Sequence, residues 1–163
     1  QNMSQNLANK VKELIESNLY VTIATCNESR QPWNTPVYAI HDKELNFFWR
    51  SWKKSEHSKN IEKNPNVFMV IYDTTRQLGQ NHQRCVYIQA KAYEINNPKE
   101  AEFVASLFPK ERQEPPGNFL GDKVKRLYKA VPEKIWLNDI SEREVTKETI
   151  KMRVPVPLEK LIN

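Results

Sequence analysis

Apolar residues recur along the chain with two periods, and the switches between them mark out the elements. Over Ser4 to Glu16 (SQNLANKVKELIE), Leu7, Val11, Leu14 and Ile15 fall on one face of a helix, with Ser4 placed to cap it. Tyr20 to Cys26 (YVTIATC) is rich in β-branched residues and stops at the turn-forming Asn27-Glu28-Ser29-Arg30, so it reads as a strand. Trp33 to Ile40 and Leu45 to Arg50 read as two more, joined through His41-Asp42-Lys43, and the three together predict an antiparallel meander. A helix is predicted over residues 56–63. It ends at Asn64-Pro65, because the residue before a proline avoids the helical region.

Val67 to Tyr72 and the long Val86 to Ile95 (VYIQAKAYEI) are the fourth and fifth strands, with polar Thr74 to Arg84 between them. Pro98 opens a further helix carrying Ala101, Phe103, Val104 and Leu107. Lys110 to Gly121, broken by Pro115-Pro116-Gly117, reads as a loop or lid. Asp122 to Tyr128 reads as one or two helical turns, and Lys134 to Ile140 and Glu148 to Pro155 as closing strands. Seven strands with single helices between them, and no regular β-α alternation, predict a mainly β (α+β) domain: an antiparallel barrel or curled sheet with peripheral helices. One domain is expected over residues 4–155. Gln1 and Asn2, before Met3, read as a leftover of recombinant expression, and 156–163 as a C-terminal tail.

Composition narrows the function classes. The formal charge of +5 and pI near 9.1 favour anionic partners, although charged residues of both signs make up 28% of the chain. No apolar run is long enough for a transmembrane helix and no signal peptide is visible. Cys26 and Cys85 match no metal or disulfide spacing and read as reduced thiols, which suits a cytoplasmic protein. No His, Cys and carboxylate cluster stands at ligand spacing, so no metal site is expected. With three glycines in all, a Gly-rich phosphate loop is excluded and any phosphate must be held by side chains and a helix end.

That helix end is conspicuous in SWKKSEHSKNIEKNPNVFMVIYD, Ser51 to Asp73. Ser55 precedes Glu56-His57-Ser58, where the first amides of the helix lack intrahelical partners and carry the positive end of its dipole. A phosphate there would meet those amides, the Ser55 or Ser58 hydroxyl, and His57 or Lys59, with Lys53 and Lys54 adding long-range attraction. Glu56 opposes this, since it already complements the dipole. Trp33, Trp49, Trp52 and Trp136 suit stacking on a planar ligand ring or on bases; in strands they equally fill core or interface. Trp49 and Phe47 share one strand face and Phe48 and Arg50 the other, one face being core and the other cofactor or interface. His41 and His82 are expected in a turn and a loop without a role. Asp139, Glu142 and Glu144 read as a solvated turn.

The ordered combination of VTIATCNESRQPWNTPVYAIHDKELNFFW, SEHSKNIEKNPNVFMVIYD, VYIQAKAYEI and RLYKAVPEKIWLND resembles the pyridoxamine 5′-phosphate oxidase-like family, the FMN-binding split barrels, over most of residues 7 to 140. The resemblance implies a six- to seven-stranded split β-barrel and a homodimer with FMN at its interface. It lays Asn34, Thr35, Pro36 and Val37 along the isoalloxazine ring and Trp49, Arg50 and Ser51 beside the ribityl chain. It gathers Ser55, His57, Ser58 and Lys59 around the phosphate, brings Arg84 or Gln83 from the fifth strand, and sets Trp136 over the cofactor. Glu56 and Asn34 stand where family members carry arginine, and the loop at Trp52-Lys53 is longer, so Lys53 or Lys54 compensates. The C-terminal segment lacks a clear counterpart of the arginine and histidine that hold pyridoxamine phosphate in the oxidase.

The implied function is an FMN-dependent oxidoreductase passing hydride between flavin and an unidentified small molecule, with NAD(P)H as a candidate donor and no named catalytic residue. Two alternatives stand: a flavin- or haem-binding module for sensing, storage or stress response, and an F420-dependent reductase. A nucleic-acid reading of FFWRSWKK fails for want of a recognised signature, so neither nucleic acid nor membrane is an expected partner.

Overall fold

The computed structural model describes residues 2–75, 77–79, 84–139 and 144–162, with the backbone alone at 144 and 145. The chain runs α1 (Met3–Glu16), β1 (Tyr20–Cys26), β2 (Pro32–Tyr38), β3 (Ile40–His41), β4 (Phe47–Trp52), α2 (Glu56–Lys63), β5 (Asn66–Tyr72), β6 (Arg84–Glu94), α3 (Pro98–Leu107), β7 (Lys125–Asp139), β8 (Glu144–Val145), β9 (Ile150–Lys151) and β10 (Val154–Val156). Eight strands form one sheet in the order β2-β1-β5-β6-β7-β4-β3, with β10 added along β7, and every pairing is antiparallel. β8 and β9 make a separate hairpin. The two ends of the order, β2 and β3, are separated in sequence by Ala39 alone. One bent strand therefore closes the sheet on itself: its short second half joins β4, while its first half leaves a split. Pro32 and Pro36 in β2 suit that edge, since a proline has no amide to give to a ladder.

The meander expected of the first three strands is formed, with its middle strand bent at Ala39 into β2 and β3. β1 pairs with β2 and β3 with β4, and the rest of the sheet joins on through β5 beside β1 and β7 beside β4. The hairpin turns follow local chemistry. Arg30 takes a left-handed φ of 61° where its amide returns to the Asn27 carbonyl at 3.0 Å. At the next turn Asp42 Oδ1 accepts from the amides of Glu44 and Asn46, both at 2.9 Å.

Residues 122–128 are not helical; from Lys125 they are the first half of β7. The misreading has a physical source. This half is buried on both faces, with Tyr128 and Ala130 toward the barrel interior and Leu127 toward a second core, so no alternation shows. Pro132 then interrupts the pattern, and the ladder absorbs it by a register shift between Gln89 and Ala90 of β6. The closing stretch is also finer than expected, split between β9 and β10.

The main core fills the barrel and includes Ile23, Phe47, Trp49, Met69, Ile88 and Leu137, with α1 contributing Leu7, Val11, Leu14 and Ile15. The outer side of β4 and β7 carries the second core, where Phe48, Ile95, Val104, Phe108, Phe119 and Leu127 sit under α3 and the 109–121 strap. Asn2, not Ser4, caps α1, its side chain accepting from the Ser4 amide, and Val156 and Leu161 are buried in the main core. Among the described residues no helix is long and apolar enough to cross a membrane.

Candidate functional site

β4 ends at Trp52, and after three intervening residues α2 starts at the mouth of the split, packing against β1, β2 and β6. Its apolar content is small; it is held by burying Ile61 and by the hydrogen bond from Asn60 Nδ2 to Thr25 Oγ1 on β1, 3.0 Å. The backbone of Ser55 is extended, as a cap requires, yet its side chain caps nothing. The Ser55 hydroxyl lies 2.8 Å from the Trp52 carbonyl and 2.8 Å from Ser58 Oγ. The amides of the first turn are therefore left without a side-chain acceptor, which is an anion-receptive arrangement.

Four polar side chains converge there. His57 Nε2 shares a hydrogen bond with Ser51 Oγ at 2.5 Å and lies 3.3 Å from Ser55 Oγ. Tyr128 lines the same pocket as Ser58, and burial pushes its phenol up against a smaller downward pull from the Ser58 hydroxyl. Burial also holds the His57 imidazole below its ordinary pKa. The Tyr128 ring is stacked on Trp49. The cations nearby are differently engaged. Glu56 does not fold back over the free amides; it pairs with Lys59 at 2.9 Å. Lys53 reaches toward Glu94 at 3.9 Å, and Lys54 is exposed.

The sequence-predicted residues divide into three groups. Ser51, Ser55, His57 and Ser58 come together, with Lys59 one turn on. On β2, Asn34 and Pro36 are exposed and Thr35 half-buried, while Val37 turns its side chain into the core and offers a ligand only its backbone. The same holds for Trp49, fully buried with its side chain in the main core. Phe47 and Trp49 do share a face, but the opposite face, Phe48 and Arg50, meets the second core. Arg50 stacks 4.5 Å over Phe108 and pairs with Glu114 at 2.6 Å.

Arg84 and Trp136 form the third group, away from α2 within one chain. Arg84 opens β6, bound to Asp139 at 3.2 Å and to Glu13 at 3.6 Å, whereas α2 lies near the Ala92 to Glu94 end of that strand. Trp136 sits on the outer wall beside Phe68. Gln83, His82 and Glu142 fall outside the described residues. His41 is half-buried on β3 and lines a cavity of about 450 Å³ with Phe103 and Leu107.

Sequence reasoning missed the strap. Glu114 bridges Arg50 and Lys125, the Lys125 hydrogen bond being the main cause that holds its carboxyl below the ordinary range. Arg112 stacks 4.1 Å over Tyr38 of β2. Pro115-Pro116-Gly117 marked a loop; no local signal showed that it docks beside the split.

A sequence profile of the pyridoxamine 5′-phosphate oxidase family matches residues 7–130. The chain belongs to that family. Among solved structures, a Clostridium acetobutylicum protein of the pyridoxinephosphate oxidase family, related to general stress protein 26 of B. subtilis, superposes with a TM-score of 0.67 at 12% identity, covering 96% of this chain and 98% of its own. HutZ, the heme storage protein from Vibrio cholerae, gives 0.63 at 15% identity over 90% and 94%. A heme binding protein from Mycobacterium smegmatis gives 0.67 at 12% identity, over 95% of this chain and 59% of that one. No curated protein matches the chain by sequence. The split-barrel fold that the resemblance implied is the fold observed.

Proposed function

We propose that this family member is an FMN-dependent oxidoreductase working as a homodimer on a small molecule. The observation that carries the reading is the start of α2: uncapped amides, three serine hydroxyls and an imidazole meet beside a strand edge that, among the described residues, only β1 pairs. These groups fit a phosphate monoester, which asks for amide and hydroxyl donors rather than a metal. Ser51, Ser55, His57 and Ser58 would hold the phosphate, with Lys53 or Lys54 as counter-charge and the backbone of β2, Asn34 to Val37, along the ring. A bound flavin supplies hydride acceptance and return. The protein's share is orientation, exclusion of water and electrostatics.

A second copy of the chain fits the outer wall. Phe68, Tyr87 and Trp136 form a half-buried aromatic patch on β5, β6 and β7, capped by Arg153 lying 3.9 Å over Tyr87. A second chain over this patch could bring its Arg84 and Trp136 to the first chain's split. The site's contact with solvent allows a nicotinamide or another small donor.

The purified protein should carry flavin absorption bands or acquire them on mixing with FMN, and elute as a dimer. A preparation that stays colourless with excess FMN sinks the reading. A haem module is the second reading, supported by the heme-binding neighbours and by His41 at its cavity; a Soret band on hemin titration, lost in His41→Ala, would favour it.

A further inference from the structure

Resting on the reading of the α2 start as the phosphate site, we propose that His57 takes up a proton when the phosphate docks. The chain would then create a cation at this site on binding instead of carrying one permanently.

Three observations lead there. First, among the described residues no fixed cation is hydrogen-bonded into the serine cluster. Lys59 is held by Glu56, Arg126 by Glu94 at 3.0 Å and by the Gly121 carbonyl and Asn96, and Arg50 by Glu114. Second, His57 is nine-tenths buried and second in the helix, where an anion on the free amides would be its neighbour. Third, its Nε2 partners are hydroxyls of Ser51 and Ser55. A serine hydroxyl donates to a neutral imidazole nitrogen and, by rotating its proton, accepts from a protonated one. Both charge states are therefore satisfied with the heavy atoms where they stand. A carboxylate partner would have fixed the imidazolium in advance.

The surrounding elements do not charge the ring beforehand. β1 and β2 offer only Tyr20, Cys26 and Tyr38 as titratable groups. β6 offers Lys91, Tyr93 and Glu94; Lys91 is bonded to Asn66 and Glu94 faces Arg126. β4 and the following loop carry Arg50, Lys53 and Lys54, β7 carries Lys125, Arg126 and Tyr128, and α2 itself carries Glu56, Lys59, Glu62 and Lys63. The ring's basicity is lowered by burial, so the free protein holds it neutral. A phosphate dianion within about 4–6 Å reverses that preference. The balance is simple: free protein, dianion and one proton from buffer give a complex holding imidazolium and dianion, with no bond to ligand formed or broken.

Calorimetric titration of the apo protein with FMN at pH 7.5, in buffers of different ionisation enthalpy, reads the proton count directly. Free FMN is mostly dianionic there, since such phosphates have a second pKa of about 6. The expected result is uptake of roughly half to one proton per site, and none in His57→Gln. Wild-type affinity should also fall with pH above neutrality, by up to about tenfold per unit, where the variant's stays level. FMN binding with no proton uptake, or with the same uptake in His57→Gln, overturns the proposal and leaves the phosphate site standing. Failure of the wild type to bind FMN at any pH overturns both. The wild-type measurement decides alone if the variant does not fold.

Discussion

At the start of α3, Asn97 turns its side-chain oxygen onto the amides of Lys99 and Glu100, 2.9 and 3.1 Å away, and Pro98 has no amide to leave unpaired. At the start of α2, Ser55 has the backbone of a cap and makes no capping bond, its hydroxyl turned to Trp52 and Ser58. The two helices are similar in length, and both carry a glutamate in the first turn. One start is optimised for the isolated fold. The other is left incomplete, at a local cost of about 1 kcal/mol by the usual worth of a cap. The difference leaves the amide donors at the α2 start open, and on that the proposed phosphate site rests.

Ser55→Asp breaks the contrast most strongly. The carboxylate would cap α2 and set a negative charge at the proposed phosphate site, so FMN affinity should fall at least about a hundredfold, the size of a like-charge clash of several kcal/mol. The melting temperature should hold or rise. A parallel loss of both would show that Ser55 is structural.

Next comes Asn97→Ala, expected to cost about 1 kcal/mol in urea unfolding while leaving FMN affinity unchanged. An equal effect on binding would mean that the two starts are not independent.

The pH dependence of the apo protein is a subtler test. His57 has a folded-state pKa below its unfolded value of about 6.5, so on acidification the unfolded chain takes a proton that the folded chain refuses. Stability should therefore fall as pH drops through 6.5 and stop falling below the folded pKa. His57→Gln should remove that part of the decline, and saturating FMN should lessen it. An unchanged acid profile in the variant would show the imidazole already exposed.

The smallest stability effect belongs to Ser55→Ala, under about 1 kcal/mol because no cap is lost and only the hydroxyl's bonds to the Trp52 carbonyl and Ser58 go, against an expected severalfold weakening of FMN binding.

How much of this could be read along the chain differs by element. Helix α2 was legible to the residue, because Asn64-Pro65 ends it and Ser55 opens it by local backbone rules. β1 and β5 were equally plain, each with one face in the barrel and alternating burial. β7 was hidden, because a strand buried on both sides and broken by Pro132 shows no period. At the site, Ser55, His57 and Ser58 were visible as neighbours in sequence. The docking of Glu114 against Arg50, 64 residues apart, was not.

The residues by themselves determined the local elements, the antiparallel character, the family and the helix start able to receive an anion, since each depends on a few bonds of backbone and a short-range pattern. Tertiary structure alone decided that Ser55 turns from its own helix, that Ser51 comes to His57, that Trp49 belongs to the core, and that β2 is left as an open edge. Those outcomes depend on which groups compete for the same proton, lone pair or apolar space once strands distant in sequence close the barrel, and no local pattern carries that competition.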